Sequence, residues 1–329
     1  MDLFLLYVVG KDKLKGNNME QKNTTPLFRY IGGKSWLREH LRRDISNLLA
    51  KNTIDTYVEP FAGGLGAFLG VHDILSSNGV KNIILNDINK KLIILYKMLY
   101  ENPEGLIQEY MKIENAFRES IPVEAWSMHK AKQKDELKIS LINASDFFKS
   151  VRNDFNVETN ELQSAAQLLF LQNHCFNGIY RENSKGGYNT PFNWEAKYIT
   201  EERLLERVSA IGKVFNKFNI AFTNKSYSEL DYNKQSLYYL DPPYINEIDT
   251  LENKYNKDCF TLTNQKELIR FIKDCVFLYS NHDNELLINE FNKNNMNIEV
   301  LKIPRKNIIS SSNESRKTDK LEILVRSKF

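Results

Sequence analysis

Short apolar runs alternate along this chain with stretches of helical period. Thr53 to Glu59 (TIDTYVE) predicts a short strand, followed by the glycine-rich turn Pro60-Phe61-Ala62-Gly63-Gly64-Leu65-Gly66 and a helix from Ala67. Ile83-Ile84-Leu85 predicts a second buried strand ending in Asn86-Asp87, with a helical stretch over Asn89 to Tyr100. Strand, turn, helix and strand in that order begin a parallel α/β sheet. From Pro103 to Phe155 the pattern turns helical, polar and charged, with Phe147, Phe148, Val151 and Phe155 on one face. A helix over Ala165 to Leu171 follows, then Asn173 to Trp194, a loop or hairpin without clean periodicity.

Strand signals return at Ile220-Ala221-Phe222, Leu237 to Leu240, Val276 to Tyr279, Ile298 to Ile303 and Leu321 to Val325, with helices over Gln265 to Asp274 and Asn284 to Asn292. Sheet-building sequence is thus interrupted by roughly a hundred residues of different character, the pattern of an inserted domain.

Composition narrows the class. The 329 residues are 42% hydrophobic, 26% charged and 12% aromatic, as expected of a soluble globular chain long enough for one large domain or two smaller ones. A net charge of +3 does not announce a polyanionic partner, so its distribution matters more. Arg29, Lys34, Arg38, Arg42, Arg43 and Lys51 form one basic stretch, and Lys302, Arg305, Lys306, Arg316, Lys317, Lys320, Arg326 and Lys328 another. Both suit a polyphosphate surface, and solvated lysine-rich faces are the plainer alternative. Cys175, Cys259 and Cys275 form no CxxC pair, so free thiols in a reducing cytoplasm are expected; the histidines show no metal-ligand spacing, and no metal is expected. The apolar opening Leu3 to Val9 is too short to span a bilayer. Met19 offers a second start, so residues 1–23 are expected to be a poorly ordered extension.

Two groups of residues carry chemistry. The run Ser236 to Leu240 empties into Asp241-Pro242-Pro243-Tyr244. Two prolines restrict the backbone and remove donors, so the Asp241 carboxylate and the Pro242 carbonyl can each accept one hydrogen from an exocyclic amine while the Tyr244 ring stacks on its heterocycle. A Pro-Pro turn closing a strand is the plain alternative. Upstream, a glycine-rich turn after the first strand and an acid at the end of the second, Gly63 and Asp87, are spaced to hold a ribose. Gly63-Gly64-Leu65-Gly66-Ala67-Phe68 lacks the third glycine of GxGxxG, and Gly32-Gly33-Lys34-Ser35 lacks the first glycine and strand of a phosphate loop. A nucleoside without phosphates, such as S-adenosylmethionine, therefore fits better than a dinucleotide.

The chain resembles the Dam-type family of DNA adenine N(6)-methyltransferases over about Phe28 to Lys328. Phe28-Arg29-Tyr30-Ile31-Gly32-Gly33-Lys34 is similar to that family's N-terminal cofactor motif, Val58 to Gly66 to its cofactor loop, and Leu85 to Asn89 to its ribose-binding strand end. Phe176 to Arg181 with Tyr188 to Asn193 resembles its recognition hairpin, and Asp241 to Tyr244 its catalytic motif; Ser280 to Asp283 and Arg316 to Glu322 are also characteristic.

The resemblance implies an α/β fold: a Rossmann-like class I methyltransferase sheet with helices on both faces, plus an inserted, mainly helical DNA-recognition domain with a β-hairpin. Residues 24–97 and 197–329 would form the catalytic domain and 98–196 the recognition domain, with the hairpin at 173–194. Tyr30, Gly32, Lys34, Phe61, Gly63, Asp87 and Asp241 would surround S-adenosylmethionine, with Asp241, Pro242 and Tyr244 catalytic. In double-stranded DNA, Asn177 would sit near the gap left by an extruded adenine, Arg181 and Arg29 would read guanines, and Ile179 and Pro191 would make apolar contacts. Arg181 as a phosphate clamp remains the alternative. Lys306, Asn313, Arg316 and Lys317 would hold phosphates, weakened by Glu314 where the family has a glycine-rich turn. The implied enzyme is a cytoplasmic, monomeric adenine methyltransferase acting within GATC. Competing readings are methylation of a protein amide or RNA base, a catalytically silent DNA-binding relative, and a nicotinamide oxidoreductase, the last disfavoured by the glycine spacing.

Overall fold

The computed structural model describes residues 24–30, 32–122, 139, 141–194, 200–244, 260–305 and 320–328. Seven strands, β1 (Thr56–Glu59), β2 (Asn82–Asn86), β3 (Asn219–Thr223), β4 (Ser236–Leu240), β5 (Val276–His282), β6 (Ile298–Arg305) and β7 (Lys320–Ser327), form one sheet in the order β3-β2-β1-β4-β5-β7-β6. All neighbours are parallel except β7, which runs antiparallel to β5 and β6. Every residue of β4 is buried, as expected for a central parallel strand covered on both faces.

Nine helices are described: α1 (Arg38–Lys51), α2 (Gly66–Ser77), α3 (Lys90–Glu101), α4 (Pro103–Glu119), α5 (Ile142–Val157), α6 (Glu161–His174), α7 (Glu201–Phe215), α8 (Leu262–Phe271) and α9 (Glu285–Lys293). The chain divides into two compact units. One is Trp36–Ala62, Val71–Ile88 and Lys217–Phe329, and it contains the whole sheet. On one face of this sheet Tyr238, Leu240, Phe277, Tyr279, Ile323 and Val325 pack against Leu268 and Ile269 of α8 and Leu287 and Phe291 of α9. Side chains alternate along a strand, so Arg326, opposite Leu278, points to the other face. There its guanidinium meets Asp44 of α1 at 2.9 Å, which puts α1 on that side. Helices therefore cover both faces, as the strand pattern and the family resemblance imply.

The other unit is Met1–Ser35, Gly63–Gly70 and Asn89–Asn216, and it is mainly helical. Its centre is α6, buried at Ser164, Ala165, Ala166 and from Leu168 to Gln172. A helix buried nearly all round has no polar stripe, which is why its sequence period is weak. Phe117 of α4 meets Phe170 and His174 of α6 at ring separations of 5.2 and 4.4 Å.

Several expectations shift. Strand β1 begins at Thr56 rather than Thr53, and β5 runs on to His282 because it pairs with β7 as far as Glu322. Helix α8 begins at Leu262, ahead of Gln265, because Thr261 and Asn264 form a reciprocal capping box. The segment 173–194 doubles back through isolated antiparallel bridges, Cys175 to Phe192 and Glu182 to Tyr188, rather than a continuous ladder. Left-handed Asn177 and Gly178 break any strand at its start. The basic stretch before residue 51 is largely internal in its pairing: Arg42 forks onto Asp73 at 2.6 and 2.7 Å, and Arg43 bonds Asp44 at 2.9 Å. The N-terminal residues 1–23, Cys259, Lys306, Asn313, Arg316 and Lys317 lie outside the described residues.

Candidate active site

The strand order reverses between β1 and β4, and such a switch point opens a crevice outside the carboxyl ends of the strands. Asp241 stands at that end of β4. Its Oδ1 accepts a hydrogen bond from Ser280 Oγ of β5 at 2.9 Å, and the Tyr239 hydroxyl lies 3.1 Å from the same oxygen of Ser280. A carboxylate only accepts, so Ser280 gives its proton to Asp241 and Tyr239 gives its own to Ser280. Burial, and then the Asp241 charge, push the Tyr239 hydroxyl well above its ordinary range, which keeps that donor protonated.

The rest of the tetrapeptide is held in the same way. Among the described residues nothing donates to the Pro242 carbonyl, whereas the Pro243 carbonyl accepts from Gln265 Nε2 of α8 at 2.9 Å. The Tyr244 hydroxyl donates to Glu322 Oε2 of β7 at 3.0 Å, and its ring meets His282 edge-on at 4.5 Å. Burial and the neighbouring Asp241 and Glu322 charges drive the Tyr244 hydroxyl far above its usual range. A carboxylate beside a free carbonyl can receive both hydrogens of a planar amine.

Phe61 and Asp87 share this edge, since β1 and β2 are the parallel neighbours leading to them. Asn86 ties the two loop ends together: its side chain donates to Pro60 O at 2.9 Å and its carbonyl accepts from Ala62 N at 2.8 Å. The half-buried Phe61 ring lies 5.9 Å from Tyr227 and 5.4 Å from Phe260. Asp87 is half-buried, its main chain fixed by Thr223 and Asn224.

The helical unit holds the remaining candidates. Tyr30 lies against the glycine turn so closely that a Cβ on Gly64 would fall 2.8 Å from the Tyr30 Cβ. Lys34 is only 4% exposed, with its ammonium on the Gly32 carbonyl at 2.9 Å, and the Gly63 carbonyl accepts from Tyr96 at 2.6 Å. Arg29, Asn177, Arg181 and Pro191 are exposed and Ile179 is half-buried. Gly178 (φ +66°) brings Arg29 and the hairpin together: a Cβ there would meet Arg29 Cβ and O at 2.9 Å. Arg181 is braced by Asn189, with Nε on its side chain at 2.8 Å and Nη2 on its carbonyl at 3.3 Å. Beneath the hairpin, His174 Nε2 and Arg118 Nε share the Glu114 carboxylate at 2.7 and 2.8 Å.

The sequence reading placed Phe176, a 47% exposed ring beside Asn177, in the hairpin motif without giving it a role, and it missed the supporting roles of Gln265, Tyr279 and Ser280. Gln265 carried a signal, since it falls on the apolar stripe with Leu268, Ile269 and Ile272. Among the described residues no cluster of metal-binding side chains occurs, and no helix is long and apolar enough to cross a membrane.

A seven-stranded sheet with one reversed strand and a carboxylate at the switch point defines a Rossmann-like methyltransferase architecture. Residues 30–307 match the family model of the D12 class N6 adenine-specific DNA methyltransferase, and the chain belongs to that family. It is 28% identical over 313 residues to the Type II methyltransferase M.MjaIII of Methanocaldococcus jannaschii, covering 91% of this chain and 98% of that one. It is 28% identical to the DNA adenine methylase of Haemophilus influenzae over 78% of this chain and 79% of that one. For the Escherichia coli DNA adenine methylase the identity is 26%, over 93% and 96%. The protein is an adenine-specific DNA methyltransferase, and its substrate is DNA.

Proposed function

We propose that this enzyme uses S-adenosylmethionine to methylate the exocyclic nitrogen of an adenine flipped out of duplex DNA, within GATC. The observation that carries the reading is the pair of acceptors at the end of β4, the Asp241 carboxylate fixed by Ser280 and the Pro242 carbonyl, to which none of the described residues donates. The donor set suits the cofactor. Within the sheet unit, Asp87 matches a ribose diol and the Phe61 ring matches an adenine face. S-adenosylmethionine, when bound, supplies a sulfonium methyl as the electrophile.

The protein's own part is positioning and charge stabilisation. The adenine nitrogen is a weak nucleophile because its lone pair is delocalised into the ring. Asp241 and the Pro242 carbonyl each accept one amino hydrogen, which turns the lone pair out of conjugation and stabilises positive charge as it develops on nitrogen. Tyr244 stacks on the flipped base, and the Asp241 carboxylate accepts the proton lost afterwards. Exposed Arg181, braced by Asn189, and Arg29, seated on Gly178, support bidentate reading of two guanines, with Asn177, Ile179 and Pro191 completing the site.

Asp241→Ala should reduce labelled-methyl transfer to duplex DNA to background while leaving DNA affinity intact. Turnover retained in that variant overturns the mechanism. Modified-base sequencing of DNA from cells expressing the chain tests the target: methylation confined to sites without GATC overturns the specificity and leaves the chemistry standing.

A further inference from the structure

The catalytic tetrapeptide cannot fix its own shape. Pro242 and Pro243 have no N–H to give a backbone ladder, so the turn after β4 depends on side chains reaching in from elsewhere. Ser280 of β5 holds Asp241, Glu322 of β7 holds Tyr244, and Gln265 of α8 holds the Pro243 carbonyl. We propose that Gln265 is a positioning residue for methyl transfer: by occupying the Pro243 carbonyl it fixes the peptide planes of the turn and keeps the preceding carbonyl, that of Pro242, aimed at the adenine amine. This rests on the roles given above to Asp241 and Pro242.

The surroundings of Gln265 allow one arrangement. The side chain is fully buried. A carbonyl only accepts, so Nε2 must face Pro243 at 2.9 Å and Oε1 must face the Tyr279 hydroxyl, which donates to it. Having spent its proton there, Tyr279 accepts from Asn281 Nδ2 at 3.1 Å, and Asn281 Oδ1 in turn takes the His282 N–H at 2.9 Å. Each donor in this buried chain is set by the one before it, and the chain ends on the catalytic backbone. Such a network costs stability if any member is lost, and it specifies a single geometry. The titratable group facing Gln265 is Tyr279 of β5, held protonated by burial, with the Asp241 charge also bearing on it from the end of β4; Glu267 of α8 bonds Tyr227 instead.

The test exploits the near-identity in shape of glutamine and glutamic acid. In Gln265→Glu the neutral acid reproduces both hydrogen bonds, whereas the ionised carboxylate sets an acceptor against the Pro243 carbonyl. Single-turnover transfer at saturating S-adenosylmethionine and duplex should therefore be slow at high pH and climb toward the wild-type rate as pH falls. Gln265→Met should be slow at every pH, by tenfold or more on the order expected for a displaced reacting group, with cofactor affinity unchanged. Tyr279→Phe removes only the hydroxyl that fixes the amide and should also slow transfer without changing cofactor affinity, in a core whose packing is kept. A wild-type rate in Gln265→Met or Tyr279→Phe, or a Gln265→Glu to wild-type ratio flat with pH, overturns the proposal. Asp241→Ala run alongside separates the two failures, because activity retained there overturns the underlying mechanism instead.

Discussion

Replacing Ser280 with alanine should separate the stability of the site from its chemistry. Ser280 is 1% exposed, and its hydroxyl lies 2.9 Å from Asp241 Oδ1 and 3.1 Å from the Tyr239 hydroxyl. Without it, the Tyr239 hydroxyl, on a residue 2% exposed, has no partner, at a cost of about 1–3 kcal/mol. Asp241 loses a bond to a charged acceptor, worth about 1.5–3 kcal/mol where water cannot replace it. Asp241 is half-buried and regains part of this from solvent, so Ser280→Ala should lose about 2–4 kcal/mol in all. Tyr239→Phe in the same chain removes the orphaned hydroxyl, and removing both partners of a hydrogen bond is close to neutral. The double variant should therefore recover about 1–3 kcal/mol in urea or thermal unfolding. Its single-turnover transfer should stay slow, by roughly tenfold to a hundredfold, because Asp241 still lacks the Ser280 bond. A double variant no more stable than Ser280→Ala would refute the account of Tyr239, and wild-type transfer in either variant would refute the role of Ser280.

Gly178→Ala should weaken DNA binding while leaving cofactor affinity intact. A side chain at φ +66° costs about 1–2 kcal/mol, and the new Cβ must push Arg29 away from 2.9 Å; unchanged DNA affinity in a filter or fluorescence assay would contradict this. Glu114 should make the helical unit acid-labile. Burial pushes its carboxyl up, but the hydrogen bonds and charges of His174 and Arg118 outweigh that and hold it below the ordinary 4.5. A depressed folded-state value gives stability that is present above 4.5 and lost as pH falls through the folded value. Unfolding midpoints of the wild type should thus fall below about pH 4.5, and Glu114→Gln should flatten that slope while lowering stability near neutrality.

The sheet was legible because its strands are short, apolar and closed by turn residues. Buried on both faces, β4 reads as one continuous run, and β2 declares its end with Asn86-Asp87. Two helices were overlooked. In α7 the signal was present, an N-cap at Thr200 followed by Leu204, Val208, Ile211 and Phe215 at helical spacing. In α1 it was masked by charge: Asp44 is buried among apolar residues, and its partners, Arg43 and Arg326, include one from the last strand. The hairpin was legible as an interruption and not as a shape, since its form depends on two left-handed residues and on contacts with Arg29, some hundred and fifty positions earlier in the chain by the numbering.

The site divides along the same line. The groups proposed to touch the substrate sit in short contiguous motifs, because a turn at a strand end can bring three or four reactive atoms together from adjacent residues. Groups that aim those atoms are scattered, and in this enzyme the scatter has a physical origin. A turn built on two prolines gives up the backbone donors that would have fixed it locally. Its geometry must then be supplied by side chains from whatever elements the sheet order sets beside it, which are α8, β5 and β7. These partners lie 22, 39 and 78 positions from the residues they hold, so no local pattern around Asp241 could reveal them. What remains visible in sequence is an inconsistency, a glutamine on the apolar stripe of α8 and a serine inside the buried strand β5. A polar residue on a buried face demands a partner, and here that demand points to the Asp241–Tyr244 turn.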